Sequence, residues 1–278
     1  MNGPTFMVHA QLGRSNAALF EVAGNLVESF DAHAVGIAAC QPMQIAYGDG
    51  YAYAAGDLIQ QDRQEIDGEI VAAERTFRQV IGNRAQSVSF RSTITYSPLA
   101  DYIASEARCA DLMITGVDHS GALLNNTRHV DMGELLMGLG RPALLVPDTV
   151  ESLILNQALV AWKDTAETRR AVLAALPFLK KTAHVSVVEI APENDREAAQ
   201  LRVQDVADWL HRHGVNAQGA TRSSAHDDAI RLAGVARELD ADYVVAGVYG
   251  HSRMREWMLG GVTRDFLLKS DRSLLVCH

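Results

Sequence analysis

The chain has 278 residues, 48% of them apolar and 21% charged, with a net charge of −9 at pH 7. This is an ordinary globular mix. The acidic balance excludes a general nucleic-acid binder, and no apolar run approaches the roughly 20 residues of a membrane helix. The acidity is uneven. Residues 1–150 carry nine arginines, no lysine and 17 acidic residues, a balance of −8, whereas residues 151–278 carry 16 basic and 17 acidic residues, a balance of −1. A polyanion such as a nucleotide is therefore repelled less by the second half. The opening Met1-Asn2-Gly3-Pro4-Thr5 has no basic region and no apolar signal core. Cys40, Cys109 and Cys277 are widely spaced, each in or beside an apolar segment, and read as small buried residues in a reducing compartment. The expected location is the cytoplasm.

In chain order, Thr5 to Ala10 reads as a short buried strand. Asn16 to Phe30 reads as an amphipathic helix, with Leu19, Val22, Ala23, Leu26, Val27 and Phe30 at helical spacing. A strand over 34–40 ends before Pro42, and a Gly/Tyr-rich loop (Tyr47, Tyr51, Tyr53) leads to a long helix over about 57–81. Strand 87–95, helix 99–108, strand 111–115, helix 131–138 and strand 142–147 close the half. The pattern then restarts with strand 157–162 and helix 165–179, where Thr165 is the N-cap. Strand 184–190, helix 195–213, strand 216–222, helix 227–238, strand 242–246, a helix from 263 and strand 273–277 follow. Strands alternating with helices imply right-handed crossovers and a parallel sheet covered on both faces.

One region overlays without a gap at an offset of 131: Ala110, Asp111 and Gly116 fall on Ala241, Asp242 and Gly247, and Arg141 and Leu144 fall on Arg272 and Leu275. This marks a tandem duplication, with domains over 1–148 and 156–278. The same overlay places His119, His129, Val130 and Met132 on Gly250, Gly260, Gly261 and Thr263. Of the spaced glycines, only the first survives in the first half. Bulky side chains where a backbone must approach a phosphate block that approach.

The second half thus carries a buried strand, a loop with Gly247, Gly250 and Gly260, and a helix from Thr263. Here the sequence resembles the universal stress protein family in its tandem form, whose signature after the fourth strand is G-x2-G-x9-G-(S/T). Gly247, Gly250 and Gly260 fit that spacing, Gly261 stands where the signature has Ser or Thr, and Val262-Thr263 continues the usual run. The resemblance covers the whole chain as architecture and residues 242–278 as motif. It implies an α/β fold of two similar doubly wound domains, each a five-stranded parallel sheet in the order 3-2-1-4-5. It also implies ATP, with Mg2+ as the accompanying cation, at the carboxyl ends of strands 1 and 4. Gly247, Gly250, Gly260, Gly261, Val262 and Thr263 would then hold the triphosphate. Lys163 takes the place of the family's usual acidic or amide residue after strand 1, and Ile190 falls near the adenine contact. The final strands 142–147 and 273–277 would pair, giving an internal pseudo-dimer that can dimerise further.

Other candidates keep two readings. Arg253 and Ser252 lie within reach of phosphates, or belong to a solvated loop whose Met254, Trp257 and Met258 pack inward. The tyrosine loop reads as an interdomain contact rather than a lid. His211 and His213 are two apart, point to different helix faces and do not chelate as a pair. His119 and His129 sit in the altered loop of the first half, where a metal or pH-sensing role is the minor reading. No nucleophile elbow, Cys pair, metalloprotease motif or P-loop occurs, so no residue is assigned a catalytic or metal-ligating role. The expected function is an adenine-nucleotide-binding regulatory or stress-response protein read by a protein partner. A nucleotide-free interaction scaffold is the alternative, and a slow ATP hydrolase ranks last for want of a base.

Overall fold

The computed structural model describes residues 3–43, 52–117, 127–223, 228–248 and 271–278. These residues form two compact units that divide before Gly140. In the first unit the order is β1 (Thr5–His9), α1 (Ala17–Ser29), β2 (His33–Cys40), α2 (Ala52–Ile81), β3 (Val88–Ile94), α3 (Leu99–Glu106), β4 (Leu112–Gly116) and α4 (Met132–Leu139). Its strands lie in the order β3-β2-β1-β4, all parallel. The second unit contains β5 (Ala143–Val146), β6 (Gln157–Trp162), α5 (Ala166–Leu179), β7 (His184–Ala191), α6 (Arg196–Arg212), β8 (Ala217–Ser223), α7 (Asp228–Glu238), β9 (Tyr243–Gly247) and β10 (Ser273–Cys277). Five of its strands are parallel in the order β8-β7-β6-β9-β10, which is the expected 3-2-1-4-5. The sixth, β5, runs antiparallel to β10, with Leu144 opposite Leu275. The expected pairing of the two final strands is thus present.

The composition of each strand follows its place in the sheet. β4, β5 and nearly all of β2, β9 and β10 are buried, the continuous apolar run that a sheet covered on both faces demands. The outer strands β3 and β8, with sequences VSFRSTI and AQGATRS, are mixed and partly exposed. In the first unit Phe77 of α2 bridges Phe20 of α1 and Phe90 of β3, with ring centroids 5.5 and 5.6 Å apart. In the second, the fully buried Tyr243 satisfies its hydroxyl on Thr182 at 2.7 Å.

The duplication is visible in hydrogen bonds as well as in sequence. Asp111 accepts from the backbone N–H of Thr5 at 2.8 Å, clasping the start of β1. Its overlay partner Asp242 accepts from Gln157 at 2.7 Å and from Asn156 at 3.0 Å, clasping the start of β6. One carboxylate thus anchors the first strand of each half to the fourth.

Three expectations need adjustment. α2 begins at Ala52, five residues earlier than expected, and takes in Tyr53, which was expected in the Gly/Tyr-rich loop. α3 ends at Glu106 and tightens into a 3-10 turn over Ala107–Cys109. That turn leaves Cys109 exposed, and Cys277 at the end of β10 is only partly covered, so Cys40 alone of the three cysteines is fully buried. The tyrosine-loop residues Tyr47 and Tyr51, the histidines 119 and 226, and the helix expected from Thr263 lie outside the described residues. Among the described residues no helix is long and apolar enough to cross a membrane.

Candidate functional site

In the second unit the chain moves from β6 outward through β7 to β8, and returns on the other side of β6 as β9. In an open parallel sheet the crevice for a ligand lies at the carboxyl ends of the strands where the order reverses, here between β6 and β9. The register sets which residues meet there. Trp162 pairs with Glu189 of β7, and Ala161 with Ala246 of β9, so Trp162 is level with Gly247. One step further out come Lys163, Ile190 and Val248. The structure therefore brings Lys163, Ile190 and Gly247 to one end of one sheet. The other expected site residues, Gly250, Arg253, Gly260, Gly261, Val262 and Thr263, lie outside the described residues.

Gly247 is held by packing. A β-carbon there would overlap the backbone N of Thr168 and lie 2.6 Å from the carbonyl carbon of Glu167. The first turn of α5 presses directly on the end of β9, and only glycine leaves room for it. That turn is well capped. The Thr165 hydroxyl accepts from the backbone N–H of Thr168 at 3.4 Å. Glu167 sits in the same turn, and its carboxyl is held below the usual range by a hydrogen bond from its own backbone N–H, despite partial burial, with further help from Thr165, Arg170 and His278.

Two groups at this end are left over. The ammonium of Lys163 is exposed and makes no ion pair among the described residues, whereas the neighbouring Asp164 is taken up by Arg169 at 2.7 Å. The indole N–H of Trp162 is buried and has no acceptor among the described residues. A buried orphan donor is costly unless something supplies its partner. Sequence reasoning passed over Trp162; an indole at the last residue of a central strand was the available signal. Glu189 on β7 is not free, because Arg202 of α6 grips it with contacts of 2.6, 3.1 and 3.2 Å and reaches Asp195 at 2.6 Å. These bonds, Glu189 first, hold the guanidinium pKa above its ordinary value.

The corresponding end of the first unit is built differently. Where the second unit has Ala161 beside Ala246, the first has His9 beside Thr115, joined by a 3.0 Å hydrogen bond. Burial lowers the His9 pKa to about 4, so the ring is neutral. Gln11 donates to the carbonyl of Gly116 at 3.2 Å, and Asn16 fixes the turn after β1 through Gln11. Three polar side chains at this end, those of His9, Gln11 and Asn16, thus find partners within the protein. His129 is exposed, and no group of metal-ligating residues forms among the described residues.

No family model matches the sequence, and no curated relative does. The fold does have counterparts among solved structures. A universal stress protein from Archaeoglobus fulgidus superposes with a TM-score of 0.68 at 14% identity, covering 99% of this chain and 96% of that one. The fold is that of the universal stress proteins. A functionally unknown protein from Pseudomonas aeruginosa shares it, with a TM-score of 0.58 and 16% identity over 99% of this chain and 92% of that one. Both likenesses extend over residues of both units.

Proposed function

We propose that the second unit binds an adenine nucleotide, ATP with Mg2+, and that the chain acts as a regulatory protein of the universal-stress-protein type whose bound nucleotide is read by a partner. The observation that carries this reading is a pair of groups at the reversal point of the second sheet, the ammonium of Lys163 and the buried indole N–H of Trp162, neither of which has a partner among the described residues. Both seek an oxygen, and a nucleotide offers phosphate, ribose and base oxygens in one ligand. Lys163 supplies a point charge for a phosphate, and Ile190 an apolar contact beside it for the base. The spaced glycines Gly250 and Gly260, with Gly261, Val262 and Thr263, would let backbone N–H groups approach the triphosphate, and Arg253 would add a second cation. The near-neutral balance of the second half supports the same assignment.

Hydrolysis is not part of the proposal. The test is thermal unfolding with millimolar ATP and Mg2+. A ligand that binds the folded state alone raises the melting temperature by linkage. The Gly250→Val variant is expected to unfold as the wild type does without ligand and to lose the shift. Absence of any shift in the wild type leaves the nucleotide-free scaffold as the better reading.

A further inference from the structure

The carboxyl end of the first sheet holds an arginine whose side chain is largely covered. Arg128 follows a backbone crossing in which the carbonyl of Thr127 accepts from Gln41, just past the end of β2, at 2.7 Å. The thiol of Cys40 donates to the same carbonyl at 3.4 Å. From there the Arg128 side chain, only 9% exposed, runs inward past the loop that follows β1. Gly13 in that loop has φ +76, and a β-carbon on it would lie 3.3 Å from the Arg128 Cδ. The guanidinium ends between two carboxylates of α2, with Nε donating to Glu69 at 2.9 Å and Nη1 3.9 Å from Asp62. Asp62, 6% exposed, also accepts from the backbone N–H of Met43 at 2.7 Å. Burial works against the charge of Arg128, but its hydrogen bond to Glu69 and the charges of Glu69 and Asp62 outweigh that and raise its pKa. Burial meanwhile pushes the Cys40 thiol up to about 11, so no thiolate competes for the cation.

We propose that Arg128 is an internal occupant of the first unit's cleft: its guanidinium fills a pocket made by Asp62, Glu69 and the Gly13 turn, which accepts a planar cation and excludes a polyanion. Three features converge on this. The side chain enters between the turn after β1 and the end of β2, the end of the sheet at which the second unit is proposed to bind its nucleotide. Among the described residues two carboxylates, Asp62 and Glu69, face the Arg128 guanidinium, in a half that carries a balance of −8. The pocket offers a hydrogen-bonding carboxylate on α2 and a glycine turn against the alkyl stem, features suited to the guanidinium fork and less so to an ammonium. In the overlay of the halves Arg128 and His129 stand where the second half has Leu259 and Gly260, so the substitution that removed a phosphate-approach glycine sits beside the one that installed the cation.

The consequence for ligand uptake rests on the nucleotide reading of the second unit: the chain takes up at most one nucleotide. The consequence for the pocket stands without it, and chemical rescue tests it. Arg128→Ala removes the atoms that N-ethylguanidinium supplies. The variant is expected to melt several degrees below the wild type. Millimolar N-ethylguanidinium is expected to restore much of that loss, with ethylammonium far weaker and the wild type unmoved by either. Should the variant not fold unaided, it is refolded with each cation in turn. Recovery of the native circular-dichroism spectrum with N-ethylguanidinium alone supports the pocket, and recovery with neither overturns it. Equal rescue by both cations also overturns it, because the site is then a mere charge sink. In parallel, calorimetric titration of the wild type with ATP is expected to give at most one site per chain, and two sites would overturn the exclusion. No ATP binding at all counts against the nucleotide reading of the second unit and leaves the rescue result to decide the pocket.

Discussion

The backbone N of Thr168 lies so close to Gly247 that a side chain of any size on residue 247 would displace the start of α5. The first glycine of the spaced loop is therefore demanded by the fold, whatever the loop binds. Gly247→Ala is expected to lower stability by about 2 kcal/mol, the usual scale of overpacking against backbone. Urea unfolding with and without ATP checks this, and the loss should appear in both. An unshifted midpoint would mean that α5 gives way freely.

Lys163 is the described residue through which charge would reach a nucleotide. It is exposed and makes no ion pair among the described residues, so Lys163→Ala should leave the melting temperature without ligand unchanged. Affinity for ATP should fall about five-fold, the worth of one screened contact of roughly 1 kcal/mol. The loss should shrink as salt is raised. A variant that binds ATP as tightly as the wild type at low salt would remove Lys163 from the site.

His9 gives the first unit a pH dependence of known sign. Burial holds its folded-state pKa at about 4, below the ordinary 6.5 that it regains on unfolding. Its contribution is fully present above pH 6.5 and is lost as pH falls toward 4, because the unfolded chain takes up a proton that the folded one refuses. The difference is about 3 kcal/mol. Urea midpoints at pH 7 and pH 4.5 should fall further apart in the wild type than in His9→Gln. Identical pH profiles would show that the ring is not held neutral.

Arg202 covers a carboxylate that would otherwise be stranded. Glu189 is 8% exposed, and its partner lies across the gap from β7 to α6. Arg202→Met should cost about 3 kcal/mol, because an unpaired buried charge remains. The double variant Arg202→Met with Glu189→Gln should recover part of that loss. A double variant as unstable as the single one would locate the cost in packing instead.

Most secondary structure could be read from the chain because its signals are local. Apolar runs in β4, β9 and β10, helical spacing in α1 and the Thr165 cap before α5 each report on neighbours a few residues away. Two ends moved: Ala52-Tyr53-Ala54-Ala55 is apolar at every position and so carries no helical period, and Arg108 and Cys109 are exposed in the turn that follows α3. The cysteines show the limit of the same logic. An apolar flank suggested burial for Cys109, but the turn that follows α3 carries it to the surface.

By itself the sequence determined the strand-and-helix alternation, the duplication at an offset of 131 and the survival of the spaced glycines in one half only. Each of these is a repeat or a period, and needs no knowledge of which distant residues touch. The tertiary structure alone decided the register that sets Leu144 opposite Leu275, that Gly247 answers to Thr168, and that Arg128 finds Glu69 from 59 residues away. Those contacts join segments far apart in the chain, where neither propensity nor spacing leaves a mark until the sheet brings them together.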